Sequence, residues 1–339
     1  MGERTYPLRM VAWELTRNCN LSCIHCRASA ASGPYEGELS TEECRTVIDD
    51  ILSFSEPTVI LTGGEPLMRP DVFDIIEYGN DRGLRMVIAV NGTLLNGPSA
   101  ERLKASGIKR VSLSIDGKDA RRHDSFRGVG GSFEAVTGAA GTLERTGLPF
   151  QINTTVTTLN VDDLDAIYAL VRSLGAVAWH VFLLVPVGRG TGLKGKELSA
   201  EAYEEVLHRL RAIEKRGELE MKVTCAPHYY RIVKEDGGTP KSAGCLAGKS
   251  FMFISHRGLA QPCGYLEIDS GNVRRDGVRK VWQGSEVFGH LRDIASYQGK
   301  CAACRYIRIC GGCRARAYEE TGDYLQEEPL CSYREGNNG

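Results

Sequence analysis

The chain has 339 residues, a formal charge of -1 (42 Lys+Arg against 43 Asp+Glu) and twelve cysteines. At about 150 residues per domain the length predicts one large domain or two. The near-zero charge excludes a nucleic-acid binder that relies on bulk phosphate neutralisation, and 42% hydrophobic with 25% charged residues excludes a disordered chain.

Short β-rich runs alternate with amphipathic helical patterns through the first half. The predicted strands are 10–15, 58–61, 85–90, 110–115, 150–156 and 178–184, rich in Val, Ile, Leu and Thr. Helical patterns lie between them at 41–54, 70–81, 98–106, 133–146 and 162–174. The first has Ser40 as N-cap and Glu43 as its capping-box partner. Several of these helices end at a glycine: Gly83, Gly107, Gly147 or Gly175. Six βα repeats predict a parallel sheet with right-handed crossovers. Six are fewer than the eight of a closed barrel, so the expected fold class is α/β, a partial (β/α)6 TIM-like barrel. The glycine-rich stretch 188–195 reads as a loop, 200–215 as a polar helix and 218–224 as a short strand. From about residue 244 periodicity is weak and cysteines take over, as in a segment that folds around metal. Three segments are expected: a barrel at 1–190, a linker at 191–243 and a cysteine-rich domain at 244–339. The longest apolar run, 181–187, is too short to span a bilayer. The first ten residues show no apolar signal region, so a cytoplasmic protein is expected.

Without an export signal, twelve cysteines point to metal or redox chemistry rather than six disulfides. Cys19, Cys23 and Cys26 give C-x3-C-x2-C directly after the first predicted strand. Three thiolates on one loop can hold three irons of a cubane and leave the fourth open for a ligand. The loop follows a strand of the barrel, where such folds keep their active sites. A zinc knuckle with His25 as fourth ligand is the alternative. Cys44, on the first helix, reads as a small buried hydrophobe.

The cysteine loop resembles that of the radical S-adenosylmethionine (SAM) enzymes. Gly63-Gly64-Glu65-Pro66, after the second strand, is similar to their GGEP motif. The resemblance implies that this segment holds the cofactor's amino group, with glycines exposing backbone carbonyls and Glu65 supplying negative charge. Residues 112–117 resemble the ribose-contacting segment, which implies that Ser114 and Asp116 bind hydroxyls. Asn153 and the backbone near Leu184 carry weaker correspondences, and Arg127 is the candidate for the cofactor carboxylate or else a surface arginine. This resemblance covers about residues 10–187. The cofactors it implies are SAM and a [4Fe-4S] cluster.

The cysteine-rich end reads C-x12-G-x4-C from Cys245 through Gly258 to Cys263. Cys301-x2-Cys304-x5-Cys310-x2-Cys313 and then Cys331 follow. It resembles the SPASM extension, which carries auxiliary iron-sulfur clusters, although that family commonly has three residues where Gly311-Gly312 stand here. The resemblance implies one cluster on Cys301, Cys304, Cys310 and Cys331, and another on Cys245, Cys263 and Cys313. The fourth ligand of the second is open: Cys225 could supply it, or the site could face substrate. Paired C-x2-C spacing is also a zinc signature.

Segments 11–17, 179–186, 224–231 and 310–331 resemble the haem-synthesising members of the SPASM group. That implies oxidative decarboxylation of two propionates of iron-coproporphyrin III to vinyl groups, fed by an electron donor such as ferredoxin or flavodoxin. A carboxylate-rich tetrapyrrole needs cations, and Arg17, Arg27, Arg189 and Arg231 are the candidates. His25, His180 and His228 are candidates for an axial ligand to the substrate iron. The alternatives are a SPASM maturase acting on a ribosomal peptide, or another tetrapyrrole enzyme of the haem d1 or didecarboxysiroheme branch. A pure electron carrier has no use for Gly63-Gly64-Glu65-Pro66. No nucleic acid and no membrane span are expected.

Overall fold

A computed structural model describes residues 6–242 and 244–334; residues 1–5, 243 and 335–339, which carry the ends of the three expected segments, lie outside the described residues. The six predicted strands are all present, with ends within two residues of expectation. They are β1 (Met10–Thr16), β2 (Thr58–Gly63), β3 (Arg85–Ala89), β4 (Val111–Ser114), β5 (Phe150–Val156) and β6 (Ala178–Leu183). Each pairs in parallel with the next. The helices α1 (Thr41–Leu52), α2 (Val72–Asp81), α3 (Gly97–Ala105), α4 (Ala120–Arg127), α5 (Ser132–Thr146) and α6 (Leu164–Ser173) fill the crossovers. The capping box at Ser40 forms as the sequence indicates.

The sheet runs past these six strands at both ends. The segment read as a linker holds α7 (Ala200–Glu214) and β7 (Glu220–Thr224), followed by α8 (His228–Glu235). β7 pairs in parallel with β6, which makes this segment a seventh βα unit of the barrel. At the other end β8 (Phe251–Ile254), from the cysteine-rich segment, pairs in parallel with β1, and the short β9 (Ala260–Gln261) pairs antiparallel with β8. The order is β7-β6-β5-β4-β3-β2-β1-β8-β9, and the outer edge of β7 pairs with no other strand of the described residues. Among these residues no helix is long and apolar enough to cross a membrane.

Alternation along each strand sorts the side chains. Val11, Trp13, Leu15, Val59, Leu61, Met86, Ile88, Leu113, Ile152 and Val181 are buried against the helices. The opposite positions line the lumen and include Glu14, Ser112, Ser114, Gln151, Asn153, Thr155, His180 and Lys222. The strands therefore carry a polar inner face that their overall Val/Ile/Leu content conceals.

Glu14 is the extreme case: it has no exposed surface. Its carboxylate meets Arg17 Nε at 3.1 Å, Arg27 NH2 at 3.1 Å and His256 Nδ1 at 2.7 Å. Burial raises its pKa, but Arg27, the His256 hydrogen bond and Arg17 outweigh burial and bring it to about 2. The group thus ties β1 to its own cysteine loop and to the end of β8. Removing one partner of a buried ion network typically costs about 3–5 kcal/mol. Glu14→Ala is expected to lower stability by that order, read as a drop in the urea midpoint. Because the folded pKa lies below the unfolded value, wild-type stabilisation from Glu14 is complete above about pH 4.3 and is lost as pH falls towards 2.

Candidate active site

Cys19, Cys23 and Cys26 follow β1 at the C-terminal end of the barrel, with free thiols. Their loop is held from several sides. Arg189, just past β6, donates from Nε to Cys23 O (2.9 Å) and from NH1 to Ala30 O (2.6 Å). Arg127, at the end of α4, points NH1 at Cys23 Sγ (3.7 Å). Gly188 adopts φ 57°, and a Cβ there would fall 2.1 Å from Arg27 O. Burial raises the Cys19 thiol to about 11, so a thiolate at this position calls for a cation or metal beside it.

The Gly63-Gly64-Glu65-Pro66 segment packs directly on this loop. Gly64 N donates to Thr16 O (2.7 Å) and Glu65 N to Asn18 O (2.8 Å). A Cβ on Gly63 would lie 2.4 Å from Thr16 O, and one on Gly64 2.4 Å from Asn18 O. Only glycine permits this approach, and it brings the two motifs together. Glu65 itself is fully buried; it caps the turn at Pro66–Met68 by accepting from Leu67 N (3.0 Å) and accepts from Asn91 N (2.6 Å). Burial pushes its carboxyl up to about 7, against those two bonds. Its charge is thus turned partly into the scaffold, joining the ends of β2 and β3, a role the motif alone does not reveal.

Asp116 is likewise fully buried: its Oδ2 lies 2.5 Å from Arg127 NH2 and 3.7 Å from His25 Nε2, and its Oδ1 accepts from Thr155 N (2.7 Å). Burial opposes ionisation, but Arg127, His25 and His123 hold this carboxyl below the usual range. Arg127 is therefore an internal bridge between Asp116 and Cys23, not a surface arginine. Burial depresses His25 to about 4, so it is neutral near pH 7. Ser114 and Asn153 are register partners on β4 and β5, half-buried on the lumen face. Leu184 O accepts from Arg316.

The remaining cysteines, Cys44 apart, gather into two sets, one of them beginning with Cys225 at the end of β7. Cys225 interacts electrostatically with Cys313, Cys263 and Cys245, and Cys310 with Cys331 and Cys301. Cys304 Sγ accepts from Tyr306 N (3.4 Å) in the turns that link Cys301 to Cys310. The Gly311-Gly312 pair, at φ 67° and 65°, makes the tight turn that lets two intervening residues send Cys310 to one set and Cys313 to the other. Gly244 passes so close that a Cβ would lie 2.1 Å from Cys310 O, and Cys245 N donates to that carbonyl (3.2 Å). Cys225, at the end of β7, has φ 59°, a conformation that costs a non-glycine residue about 1–2 kcal/mol. Its carbonyl is gripped by Arg316 NH2 (3.1 Å) and Tyr203 OH (3.2 Å), which fixes it in this shape. Arg316 also pairs with the fully buried Glu328 (3.2 Å), which accepts from Cys313 N (2.6 Å). Tyr265 lies between front and back: it interacts with Cys225 and Cys263 on one side and with Arg27 and Cys26 on the other.

Among the described residues no three His, Cys, Asp or Glu side chains converge on one ion. Thiols spread around a shared centre suit clusters of several irons, each taking one thiolate. A model of the radical SAM superfamily matches residues 13–171, and one of the SPASM iron-sulfur cluster-binding domain matches residues 245–314. Two relatives named AdoMet-dependent heme synthase match nearly the whole chain. The one from Nitratidesulfovibrio vulgaris is 50% identical and covers 96% of this chain and 92% of its own. The one from Methanosarcina barkeri is 47% identical and covers 97% of each. The chain belongs to the radical SAM enzymes. The crystal structure of Streptococcus suis SuiB bound to S-adenosylmethionine shares the fold, with TM-score 0.79 at 18% identity over 97% of this chain and 78% of that one. A radical SAM enzyme of this type takes S-adenosylmethionine and a [4Fe-4S] cluster as cofactors, with auxiliary clusters in its SPASM domain.

The arginines expected to grip substrate are paired within the protein. Arg17 and Arg27 serve Glu14, and Arg27 also lies 4.2 Å over the Phe253 ring. Arg189 is taken up by the cysteine loop. Arg231 is locked between Glu204 (2.5 Å) and Glu235 (2.7 Å). His228 is buried against Tyr203, with both ring nitrogens lacking a partner among the described residues, and burial depresses it to about 4. Sequence reading picked these arginines for their loop positions; their structural partners come from distant segments and leave no local signal.

Proposed function

We propose that this radical SAM enzyme makes haem b from iron-coproporphyrin III by oxidative decarboxylation of two propionates to vinyl groups. The full-length likeness to the heme synthases supports a tetrapyrrole substrate. The observation that carries the reaction type is Tyr265, which lies within electrostatic reach of both Cys26 and the Cys225–Cys263 pair. A substrate beside it has a hydrogen-abstracting centre on one side and an electron acceptor on the other.

The residues fit the groups this reading needs. Cys19, Cys23 and Cys26 would hold the radical cluster; Cys225, Cys245, Cys263 and Cys313 one auxiliary cluster; Cys301, Cys304, Cys310 and Cys331 the other. The bound groups supply a 5′-deoxyadenosyl radical at one end and one-electron acceptance at the other. For each propionate, one hydrogen atom leaves the β-carbon. The carboxylate then departs as CO2, the vinyl double bond forms, and one electron is released. The balance needs an acceptor but no proton transfer from the protein, so no side chain is assigned as acid or base. Arg127, fixed by Asp116, keeps positive charge beside Cys23, where it stabilises a thiolate. Gly63 and Gly64 let the backbone close on the loop, where the segment would hold a cofactor ammonium. Arg316 and Glu328 orient Cys225 and Cys313 on one centre. A small ferredoxin or flavodoxin would supply the reducing electron.

Mass spectrometry of iron-coproporphyrin III after anaerobic turnover is expected to show two successive losses of CO2 with two hydrogens each. Deoxyadenosine formed with the porphyrin left intact would overturn the reading. Replacing Cys225 tests the auxiliary set separately. Cys225→Ala should lower iron per reconstituted chain and remove one auxiliary cluster's electron paramagnetic resonance signal, whereas Cys44→Ala should leave both unchanged.

A further inference from the structure

A chamber of about 800 Å³ opens beside the unpaired edge of β7, bounded by α8 and by the cysteine-rich segment. It lies at the end of the barrel away from the Cys19–Cys26 loop. Met10 and Glu220, which begin β1 and β7, line it, whereas Cys19 and Cys225 follow the opposite ends of the same strands; on the cysteine-rich side the lining Lys249 lies in the field of Cys245 and Cys310. From Met10 to Thr16 the strand rises roughly 20 Å at about 3.3 Å per residue.

The chamber's charge is far from that of the chain. Seven Lys and Arg side chains line it against two Glu, in a protein whose formal charge is -1. Both glutamates are already paired: Glu214 with Arg211 (2.8 Å) and Lys241 (3.2 Å), Glu220 with Arg110 (3.2 Å). Arg9, Lys222, Lys249 and Arg308 have no carboxylate within ion-pairing distance among the described residues. Lys222 faces the lumen beside its register partner His180. Gln151 Nε2 lies 2.9 Å from His180 Nδ1, and His180 Nε2 has no hydrogen-bond partner among the described residues, so an unpaired donor stands next to the ammonium. Tyr229, Tyr230, Leu246 and Ile307 give the same chamber broad apolar surface. Unpaired cations around an apolar slot suit a flat, apolar molecule with carboxylates on its rim.

We propose that this chamber binds the two propionate carboxylates that the substrate keeps, so that the two to be removed point up the lumen towards the Cys19–Cys26 loop. The assignment rests on the decarboxylase reading, because it presumes a macrocycle that loses some carboxylates and retains others. Anchors at the far end of the barrel from the radical loop contact groups that are unchanged in substrate and product. Arg17, Arg27, Arg189 and Arg231, by contrast, already have their partners.

The test is a visible-absorbance titration of the reconstituted holoenzyme with iron-coproporphyrin III, haem b and coproporphyrin III tetramethyl ester. Lys222→Gln and Arg308→Gln should each raise Kd for both carboxylated ligands about tenfold, while the ester binds wild type and variants alike. Lys222→Arg should restore the affinity for both carboxylated ligands. Variants that bind like wild type, that weaken the ester equally, or that weaken iron-coproporphyrin III but not haem b would each overturn the proposal. Binding and turnover separate the two claims. Charge-dependent binding without CO2 release supports the chamber and refutes the decarboxylase reading. CO2 release with unaffected variants does the reverse.

Discussion

A carboxylate sealed from water must be met by cations, and in this protein that requirement shapes the radical end of the barrel. Glu14 faces the lumen with no exposed surface, and Arg17, Arg27 and His256 converge on it from the loop after β1 and from beyond β8. On the other side Asp116 is met by Arg127, which also reaches Cys23. Arg189 closes the third side through the carbonyls of Cys23 and Ala30. The loop that carries Cys19, Cys23 and Cys26 is suspended among buried ions, and their value is positional.

The same device recurs at the back. Arg316 is buried and touches Leu184 O, Cys225 O and Glu328, joining the ends of β6 and β7 to the cysteine-rich segment. It holds Cys225 in a left-handed conformation that a non-glycine residue resists, and that cost is carried where a thiol is aimed at Cys245, Cys263 and Cys313. Tyr265 then stands between the two cysteine regions. Under the proposed reading, hydrogen abstraction and electron removal have neighbouring addresses, and the cationic chamber lies away from the Cys19–Cys26 loop with Lys249 beside Cys245 and Cys310.

Much of this was legible in the chain. The six strands announce themselves because their outer faces pack helices with a regular, mostly apolar pattern, and the cysteines announce themselves by their close spacing. Other parts were not. α4 is nearly all polar and offers no apolar stripe, so no helical pattern marks it in the sequence. β7 looked like a linker strand because parallel pairing with β6 is set by a crossover, not by a local turn. β8 pairs with β1 from about 240 residues away, a distance that periodicity cannot bridge. The arginines were visible as residues but not as bonds. Whether an arginine meets substrate or Glu14 depends on what the fold brings beside it.

The central claim is that a hydrogen atom leaves a substrate propionate at the Cys19–Cys26 end of this barrel. Iron-coproporphyrin III deuterated at the propionate β-carbons, turned over anaerobically, tests it most directly. The account predicts 5′-deoxyadenosine one mass unit heavier, two molecules for each haem b formed. Unlabelled deoxyadenosine alongside haem b, with deuterium absent from the nucleoside, would contradict it.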